Sequence, residues 1–368
     1  MMFGYLIAIE ISHISHVYVG GAINSFNIIL PTITGFFLVI CFIDSRHHLR
    51  LLIFLLVALS TFLAYEGCLQ HNTGFSHGGL EPYYENKYLT DGENIKVPRI
   101  RWYGVFNDPN DLGLALVLVV PFLLNMLLQR HLVVPLMTLP FIGLSIFYTN
   151  SRGTALAGLV AIGTYFIVRY RSLYGVVAGG LLAVVLLFFG PSRMSSVSAS
   201  EESAYGRIEA WYEAYQMFKA SPLFGVGQGR FTEFHTLTAH NSFVLVMAEL
   251  GIFGLFFFTG LFYFPYYWLW DNFVKKGGSN IDREDTGLVS ASFASLTGML
   301  ASMFFISRSY ILLPFILVAL VTGITRVIDS EKQSVANDED VKPKHFRNIF
   351  ILTVLQIIGI NIFVKLVI

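Results

Sequence analysis

The residues best suited to chemistry stand at a boundary between a polar and an apolar stretch, in TAHNSFVLVMAELGIFGL, residues 238–255. His240 and Asn241 directly precede a long apolar run, and Glu249 lies inside it. Imidazole titrates near neutral pH, which suits His240 to general base catalysis, although a histidine here also suits helix capping or aromatic packing. Glu249 lies about 13 Å further along a helix, where a carboxylate needs either a functional role or a structural partner.

Three arginines in polar stretches could hold an anion, because a guanidinium fork matches phosphate oxygens. Arg101 lies in RIRWYGVFNDPNDLG, Arg152 in NSRGTALAG and Arg207 in YGRIEAW. Arg152 also suits an interfacial anchor among small residues that let helices approach closely. Arg207 also suits the solvated face of a helix, whereas Arg101 has no such local explanation.

Two further motifs have both a chemical and a structural interpretation. Asp108 and Asp111 could bind a metal, but Asp108 followed by Pro109, with Asp111 in the first turn, is also what a helix start requires. The glycines of PLFGVGQGRF, residues 222–231, resemble a phosphate-binding loop. Without a strand before it and a helix after it, the spacing favours a tight turn.

Composition indicates that these residues belong to a membrane protein. Of 368 residues, 55% are hydrophobic and 13% charged, whereas soluble domains carry about 25% charged residues. The zero net charge gives no basic face for nucleic acid. We predict an all-α, polytopic transmembrane helical bundle, because apolar runs long enough to cross the bilayer recur along the chain. The predicted spans are residues 3–20, 26–43, 49–65, 111–128, 132–149, 153–170, 173–190, 242–268, 287–306, 309–328 and 348–367.

Charged residues orient these spans, because Lys and Arg concentrate on every second short connection and mark it as cytoplasmic. The two long connections, 66–110 and 191–241, then face the other side. The second contains an amphipathic helix that we expect to lie along the membrane surface, with apolar residues at helical spacing: Ile208, Trp211, Ala214, Tyr215 and Phe218. The predicted organisation is a catalytic bundle at 1–328, including both long loops, a cytoplasmic linker at 329–347 and a C-terminal transmembrane helix at 348–368.

Three motifs together resemble the O-antigen ligase and O-antigen polymerase family of bacterial inner-membrane proteins. They are NSRGTALAG, GRIEAW, and SPLFGVGQGRF followed by TAHNSFVLVMAELGIFG. The resemblance covers residues 99–265, and its most specific part is the glycine-rich turn, then His-Asn, then a span with an embedded Glu-x-Gly-x-x-Gly.

The resemblance implies an inverting glycosyltransferase on the periplasmic face of the inner (cytoplasmic) membrane. It implies an undecaprenyl-pyrophosphate-linked glycan as donor, a glycan or lipid A-core as acceptor, and neither a metal nor a cofactor. Arg152 and Arg207, with Arg101, would hold the pyrophosphate, and His240 would take the proton of the acceptor hydroxyl. Asn241 would orient the imidazole or bind the acceptor, and Glu249 would be a supporting residue.

These residues are compatible with several functions. A ligase and a polysaccharide polymerase need the same donor-binding arginines and the same base. A polysaccharide-lipid transporter or flippase would show charges at the bilayer midplane and broken helices in paired halves. Only Glu249 lies deep in a strong span, which favours the enzyme. A non-catalytic scaffold would tolerate the loss of His240.

Overall fold

The structure is a computed structural model that describes residues 1–88, 94–170, 198–271, 283–331 and 343–367. Its helices are α1 Met2–Ile14, α2 Val19–Phe42, α3 Arg46–Thr73, α4 Pro109–Leu128, α5 Val133–Tyr148, α6 Arg152–Tyr170, α7 Ser198–Ala220, α8 Phe231–Phe234, α9 Ser242–Leu269, α10 Arg283–Met303, α11 Leu312–Glu331 and α12 Pro343–Val367. Strands β1 Tyr83–Tyr88 and β2 Asn94–Arg99 form an antiparallel pair.

Eight of these helices are long and apolar enough to cross a membrane: α2, α3, α4, α6, α9, α10, α11 and α12. α1 and α5 are shorter apolar helices at two further predicted spans. The predicted span 173–190 and residues 332–342 of the predicted linker lie outside the described residues. The prediction of an all-α polytopic helical membrane protein is therefore confirmed.

The chain divides into two compact units. Unit 1 comprises Met1–Ser45, Ser203–Trp270 and Met303–Ile368, and unit 2 comprises Arg46–Glu202 and Asp271–Ser302. The organisation predicted from the sequence, with boundaries at 328 and 348, stays a prediction.

Unit 1 is organised around α9. Helices α1, α11 and α12 pack against α9, and α2 packs against α1 and α11. The residues of α9 from Val244 to Gly251 are all buried, so this part of the helix is enclosed by protein on every side. At the end of α2, the guanidinium of Arg326 donates to the carbonyl oxygens of Ile40 and Ile43, which satisfies acceptors that the helix leaves open there.

The first predicted span, residues 3–20, is wrong at its C-terminal end. α1 stops at Ile14, and the chain turns through Val17, whose φ is 58°, before α2 begins at Val19. With 13 residues, α1 extends about 20 Å at 1.5 Å per residue. The polar end of α1 is accommodated by the protein, since His13 is buried inside unit 1.

Unit 2 is organised around α4, against which α3, α5 and α6 pack. A Cβ on Gly113 of α4 would lie 2.0 Å from Oγ1 of Thr154 on α6, so the two helices meet at a position that only glycine permits. The close packing expected of the small residues after Arg152 stays a prediction. At the other end of the unit, Arg46 of α3 binds both carboxylate oxygens of Asp285 on α10, at 2.8 and 3.1 Å.

The long connection 66–110 has more structure than predicted. α3 continues to Thr73, and the antiparallel pair β1–β2 follows. The strand pair is held against the α5–α6 turn, because Ile100 N donates to Tyr148 O at 3.3 Å and Arg99 Nε donates to Thr149 O at 2.9 Å.

Candidate active site

The glycine-rich segment 222–231 pairs with a break in α9. The helix is interrupted at Gly251, where φ is 63° and ψ is −162°. Four backbone hydrogen bonds of 2.9 to 3.2 Å join the two segments: Val226 N to Ala248 O, Gly227 N to Glu249 O, Ile252 N to Pro222 O, and Phe253 N to Leu223 O. The backbone groups freed by the break are thereby satisfied, as an apolar surrounding requires.

Two glycines make this pairing possible. A Cβ on Gly225 would lie 2.1 Å from the carbonyl carbon of Glu249, and a Cβ on Gly251 would lie 2.5 Å from the carbonyl carbon of Leu223. Both contacts are with backbone atoms, which cannot move aside as a flexible side chain can. Segment 222–231 is therefore a tight turn docked on α9, as its spacing favours. The N–H groups of Val226 and Gly227 are used in that docking, so they are not offered to a phosphate.

The carboxylate of Glu249 holds the chain where it leaves this turn. Its Oε1 accepts from Phe231 N at 3.1 Å and its Oε2 accepts from the hydroxyl of Tyr310 at 2.7 Å. Burial, with the neighbouring Glu249, raises the pKa of Tyr310 well above its ordinary value, so the hydroxyl keeps its proton and donates it. These partners fit the supporting role expected for Glu249.

His240 lies at the junction between this loop and α9, in a left-handed backbone conformation with a φ of 47°. That conformation costs a residue with a side chain about 1–2 kcal/mol, although histidine is among the types that tolerate it. The helix is capped by the next residue, since Asn241 Oδ1 accepts from Phe243 N and Val244 N at 2.9 and 3.1 Å. The capping role considered for His240 is thus performed by Asn241, and the imidazole is half-buried beside that cap.

Helix α7 places Arg207 next to the segment that ends at His240. Two contacts join them: Trp211 Nε1 donates to Ala239 O at 2.9 Å, and a Cβ on Gly206 would lie 3.4 Å from Leu237 Cδ1. Arg207 directly follows Gly206 and lies one helical turn before Trp211, on the same face. The structure therefore brings Arg207 and His240 to one region of unit 1.

The prediction of a helix here is confirmed, and its position along the membrane surface stays a prediction. The buried face of α7, with Trp211 and Ala214, packs against Val244 and Ala248 of α9. Beyond its end, Pro222 is bonded to Ile252. The apolar face of α7 is therefore buried in one cluster with apolar residues from the first part of α9.

In unit 2, Arg152 is the first residue of α6 and is half-buried. The preceding Ser151 caps the helix, because its Oγ accepts from Thr154 N at 3.1 Å, and it donates to Asn110 Oδ1 at 2.6 Å. Asp108 caps α4 by accepting from Asn110 N at 2.7 Å. The capping interpretation of Asp108 is confirmed.

Arg101 belongs to the same end of unit 2. Its backbone N donates to Gln70 Oε1 at 2.8 Å and its Nε donates to the carbonyl of Glu81 at 3.1 Å. Of the predicted site residues, Arg207, His240, Asn241 and Glu249 thus lie in unit 1, whereas Arg101 and Arg152 lie in unit 2. Their convergence on one substrate stays a prediction.

The comparison with known families bears directly on this arrangement. Residues 136–259 match the O-antigen ligase family model. The resemblance that the motifs indicate is confirmed over this segment. It contains both the docked turn and the cap of α9, and five of the six predicted site residues: Arg152, Arg207, His240, Asn241 and Glu249. No curated protein and no solved structure matches the chain.

The eight long apolar helices are typical of a multi-pass membrane protein, and the segment 136–259 is similar to the O-antigen ligase family of polysaccharide biosynthesis. Within the described ranges, no three His, Cys, Asp or Glu side chains are grouped as metal ligands would be. Independence of a metal stays a prediction.

Arg308 lies outside the O-antigen ligase segment and is not among the candidates that the sequence indicates. Its backbone N donates to Ser242 Oγ at 3.0 Å, and Ser309 Oγ donates to Ser242 O at 2.9 Å. The short α10–α11 connection is thereby fixed at the start of α9, two residues from His240. Its signal in the sequence was charge, because Arg152 and Arg308 are the only cations in the short connections on that predicted side.

Proposed function

We propose that this protein is a periplasmic-face glycosyltransferase of the O-antigen ligase type. It would move a glycan from undecaprenyl pyrophosphate to a lipid-anchored acceptor. The observation that carries the proposal is the placement of His240, which is held left-handed at the capped start of α9 with the helix of Arg207 bonded to the preceding residue.

The reaction follows from the chemistry of these groups. His240 takes the proton of an acceptor hydroxyl while that oxygen bonds to the anomeric carbon from the face opposite the leaving group. The bond from the anomeric carbon to the pyrophosphate oxygen breaks, and its electron pair leaves with undecaprenyl pyrophosphate. Arg152 and Arg207, with Arg101, stabilise the charge that develops there. Arg308, fixed beside the start of α9, adds a fourth guanidinium to this set.

Asn241, Glu249 and Trp211 fix the chain on either side of His240. Asn241 uses its side-chain oxygen to cap α9, which fixes the residue directly after His240. Glu249 binds the start of the segment that leads to His240, and Trp211 binds its end. A base fixed in this way loses little freedom when the acceptor binds.

One observation would favour a transporter, because a helix broken beside a carboxylate is typical of substrate sites in transporters. In this chain the backbone groups at the Gly251 break are bonded to segment 222–231, and Glu249 is bonded to Phe231 and Tyr310. The break is occupied by the protein itself, which supports the enzyme.

The test is complementation of a deletion strain with single variants, followed by profiling of its surface glycan. His240→Asn removes the imidazole but keeps a residue type that tolerates the left-handed conformation. We expect His240→Asn, Arg207→Ala and Arg152→Ala to lose the glycan product at normal protein levels. His131→Ala, at an exposed position in unit 2, is the matched control and should behave as wild type. A normal glycan in all three variants would refute the assignment.

The glycans of the same strains distinguish a ligase from a polymerase. Loss of capped lipopolysaccharide, with retention of long lipid-linked polymer, indicates a ligase. Loss of the long polymer itself indicates a polymerase.

A further inference from the structure

A second histidine–carboxylate pair lies in unit 2, and the mechanism above does not use it. Glu66, near the end of α3, has a side chain that is 0% exposed, whereas the side chain of His77 is 68% exposed. His77 Nδ1 lies 2.5 Å from Glu66 Oε1, and His77 N donates to Glu66 Oε2 at 3.0 Å. Both oxygens of a buried carboxylate are thus bound by one exposed histidine.

This geometry fixes what the histidine offers to a ligand. An ionised carboxylate only accepts hydrogen bonds, so the proton of the neutral ring is on Nδ1 and Nε2 is left as an acceptor. Nε2 of His77 makes no hydrogen bond to any residue that the structure describes. With a neutral ring, the pair therefore presents Nε2 of an oriented imidazole to the outside as an acceptor.

The turn that carries His77 is rigidly built. Gly78 and Gly79 both have a φ of 80°, and Leu80 O accepts from Gln70 Nε2 at 2.9 Å. Gln70 Oε1 in turn accepts from the backbone N of Arg101. The residue before Glu66 is Tyr65, whose ring centroid is 6.5 Å from that of His77 and whose surface is 46% exposed.

We propose that His77, oriented by Glu66, forms a saccharide-binding subsite in unit 2. Nε2 accepts a hydrogen bond from a sugar hydroxyl, and the exposed ring of Tyr65 faces the apolar C–H side of the sugar. A fully ionised phosphate offers only acceptors, so it cannot donate to Nε2 of the neutral ring as a sugar hydroxyl can. A divalent cation would need further protein ligands, and the pair supplies two. The inference rests on the proposed function, and it assigns the subsite to the acceptor glycan.

Two substitutions of His77 separate binding from support of the turn. His77→Asn places an amide nitrogen where Nδ1 stood, so the bond to Glu66 is kept and the acceptor at the Nε2 position is lost. His77→Gln places an amide oxygen at the Nε2 position and gives up the bond to Glu66. A purely structural histidine would tolerate Asn better than Gln, whereas a ligand-binding one would tolerate Gln better.

The assay uses the full chain in lipid nanodiscs, with the host's undecaprenyl-pyrophosphate-linked glycan as donor and its deacylated lipid A-core oligosaccharide as acceptor. We expect His77→Asn to raise the acceptor KM about fivefold or more, as the loss of one hydrogen bond would. The kcat and the donor KM should stay within about twofold of wild type, and His77→Gln should lie between the two proteins. An unchanged acceptor KM in His77→Asn, or a larger defect in His77→Gln, overturns the subsite.

A binding measurement keeps this result distinct from failure of the transferase itself. Diethyl pyrocarbonate modifies exposed neutral imidazoles, and the modified positions can be mapped by mass spectrometry. We expect the core oligosaccharide, but not undecaprenyl phosphate, to slow the labelling of His77, with His131 as the internal control. Labelling at an unchanged rate overturns the subsite. Transfer that survives His240→Asn overturns the proposed function alone.

Discussion

Replacing Gly225 by alanine tests whether the docked turn holds the candidate site together. A Cβ at this position would lie 2.1 and 2.2 Å from the carbonyl carbon and oxygen of Glu249 and 2.3 Å from Leu250 N. All three are backbone atoms, so the turn has to move away from α9. The bonds nearest to the substitution are those of Val226 N and Gly227 N to α9.

The cost follows from two contributions. The φ of 71° at Gly225 costs an alanine about 1–2 kcal/mol. Each of the two hydrogen bonds lost leaves buried polar groups unsatisfied, at about 1–3 kcal/mol per bond. The sum is about 3–8 kcal/mol, which is comparable with the whole stability of many folded domains.

Gly229→Ala is the matched control. Its φ is 78°, but a Cβ there would meet nothing within 4 Å. Only the conformational cost of about 1–2 kcal/mol applies. The two variants therefore share the same chemical change and the same backbone region, and they differ in the clash with α9.

Thermal denaturation of the detergent-solubilised proteins at a fixed scan rate measures the difference. We expect the midpoint of Gly225→Ala to lie about 5 °C or more below that of Gly229→Ala. Glycan transfer should be lost in Gly225→Ala at temperatures where the protein is still folded, because the segment leading to His240 starts from this turn. Equal midpoints for the two variants would show that the turn does not depend on its contact with α9.

Three further outcomes are expected at the same site. Tyr310→Phe removes a donor to a buried carboxylate, so it should destabilise the protein by about 1.5–3 kcal/mol. In a double-mutant cycle with Glu249→Leu, which removes the acceptor, most of that loss should disappear, and additive effects would contradict the bond. Trp211→Phe keeps an aromatic ring but loses the bond to the residue before His240, so kcat should fall while protein levels in membranes stay normal. Arg308→Ala should raise the donor KM about tenfold or more, with Arg308→Lys intermediate, and an unchanged donor KM would remove Arg308 from the pyrophosphate site.

Features with a local cause could be predicted from the sequence. The cap at Asp108 and the start of α9 at residue 242 follow from side chains within three residues of the helix end. The length of the apolar runs fixes which segments are long helices, whatever they pack against. The end of α1 was mispredicted because the chain turns at Val17, and a hydropathy window does not detect a local backbone turn.

Features that depend on distant backbone contacts could not be predicted. Residues 242–268 are almost all apolar, with Ser242, Glu249 and Thr259 as the polar exceptions, so the break at Gly251 has no signature in the periodicity of the span. The hydrogen bonds that fill the break come from segment 222–231. The type of a residue does not reveal which distant backbone group its own backbone N–H or C=O will bind. The strand β1 is missed because YYENKY lacks the alternation typical of a half-buried strand. In β2, NIKVPR alternates only from Asn94 to Val97 before Pro98, and proline weakens a strand signal.

The same distant contacts explain how His240 keeps an unfavourable backbone. A left-handed histidine persists only where its surroundings determine it more strongly than its own preference does. The segment before it is fixed at Phe231 by Glu249 and at Ala239 by Trp211, and the residue after it is fixed as the cap of α9. Each of these bonds contributes about 0.5–3 kcal/mol, and their sum is comparable with or larger than the strain of about 1–2 kcal/mol. A carboxylate deep in α9 therefore influences a base at its start through the intervening loop, without touching the sugar on which that base would act.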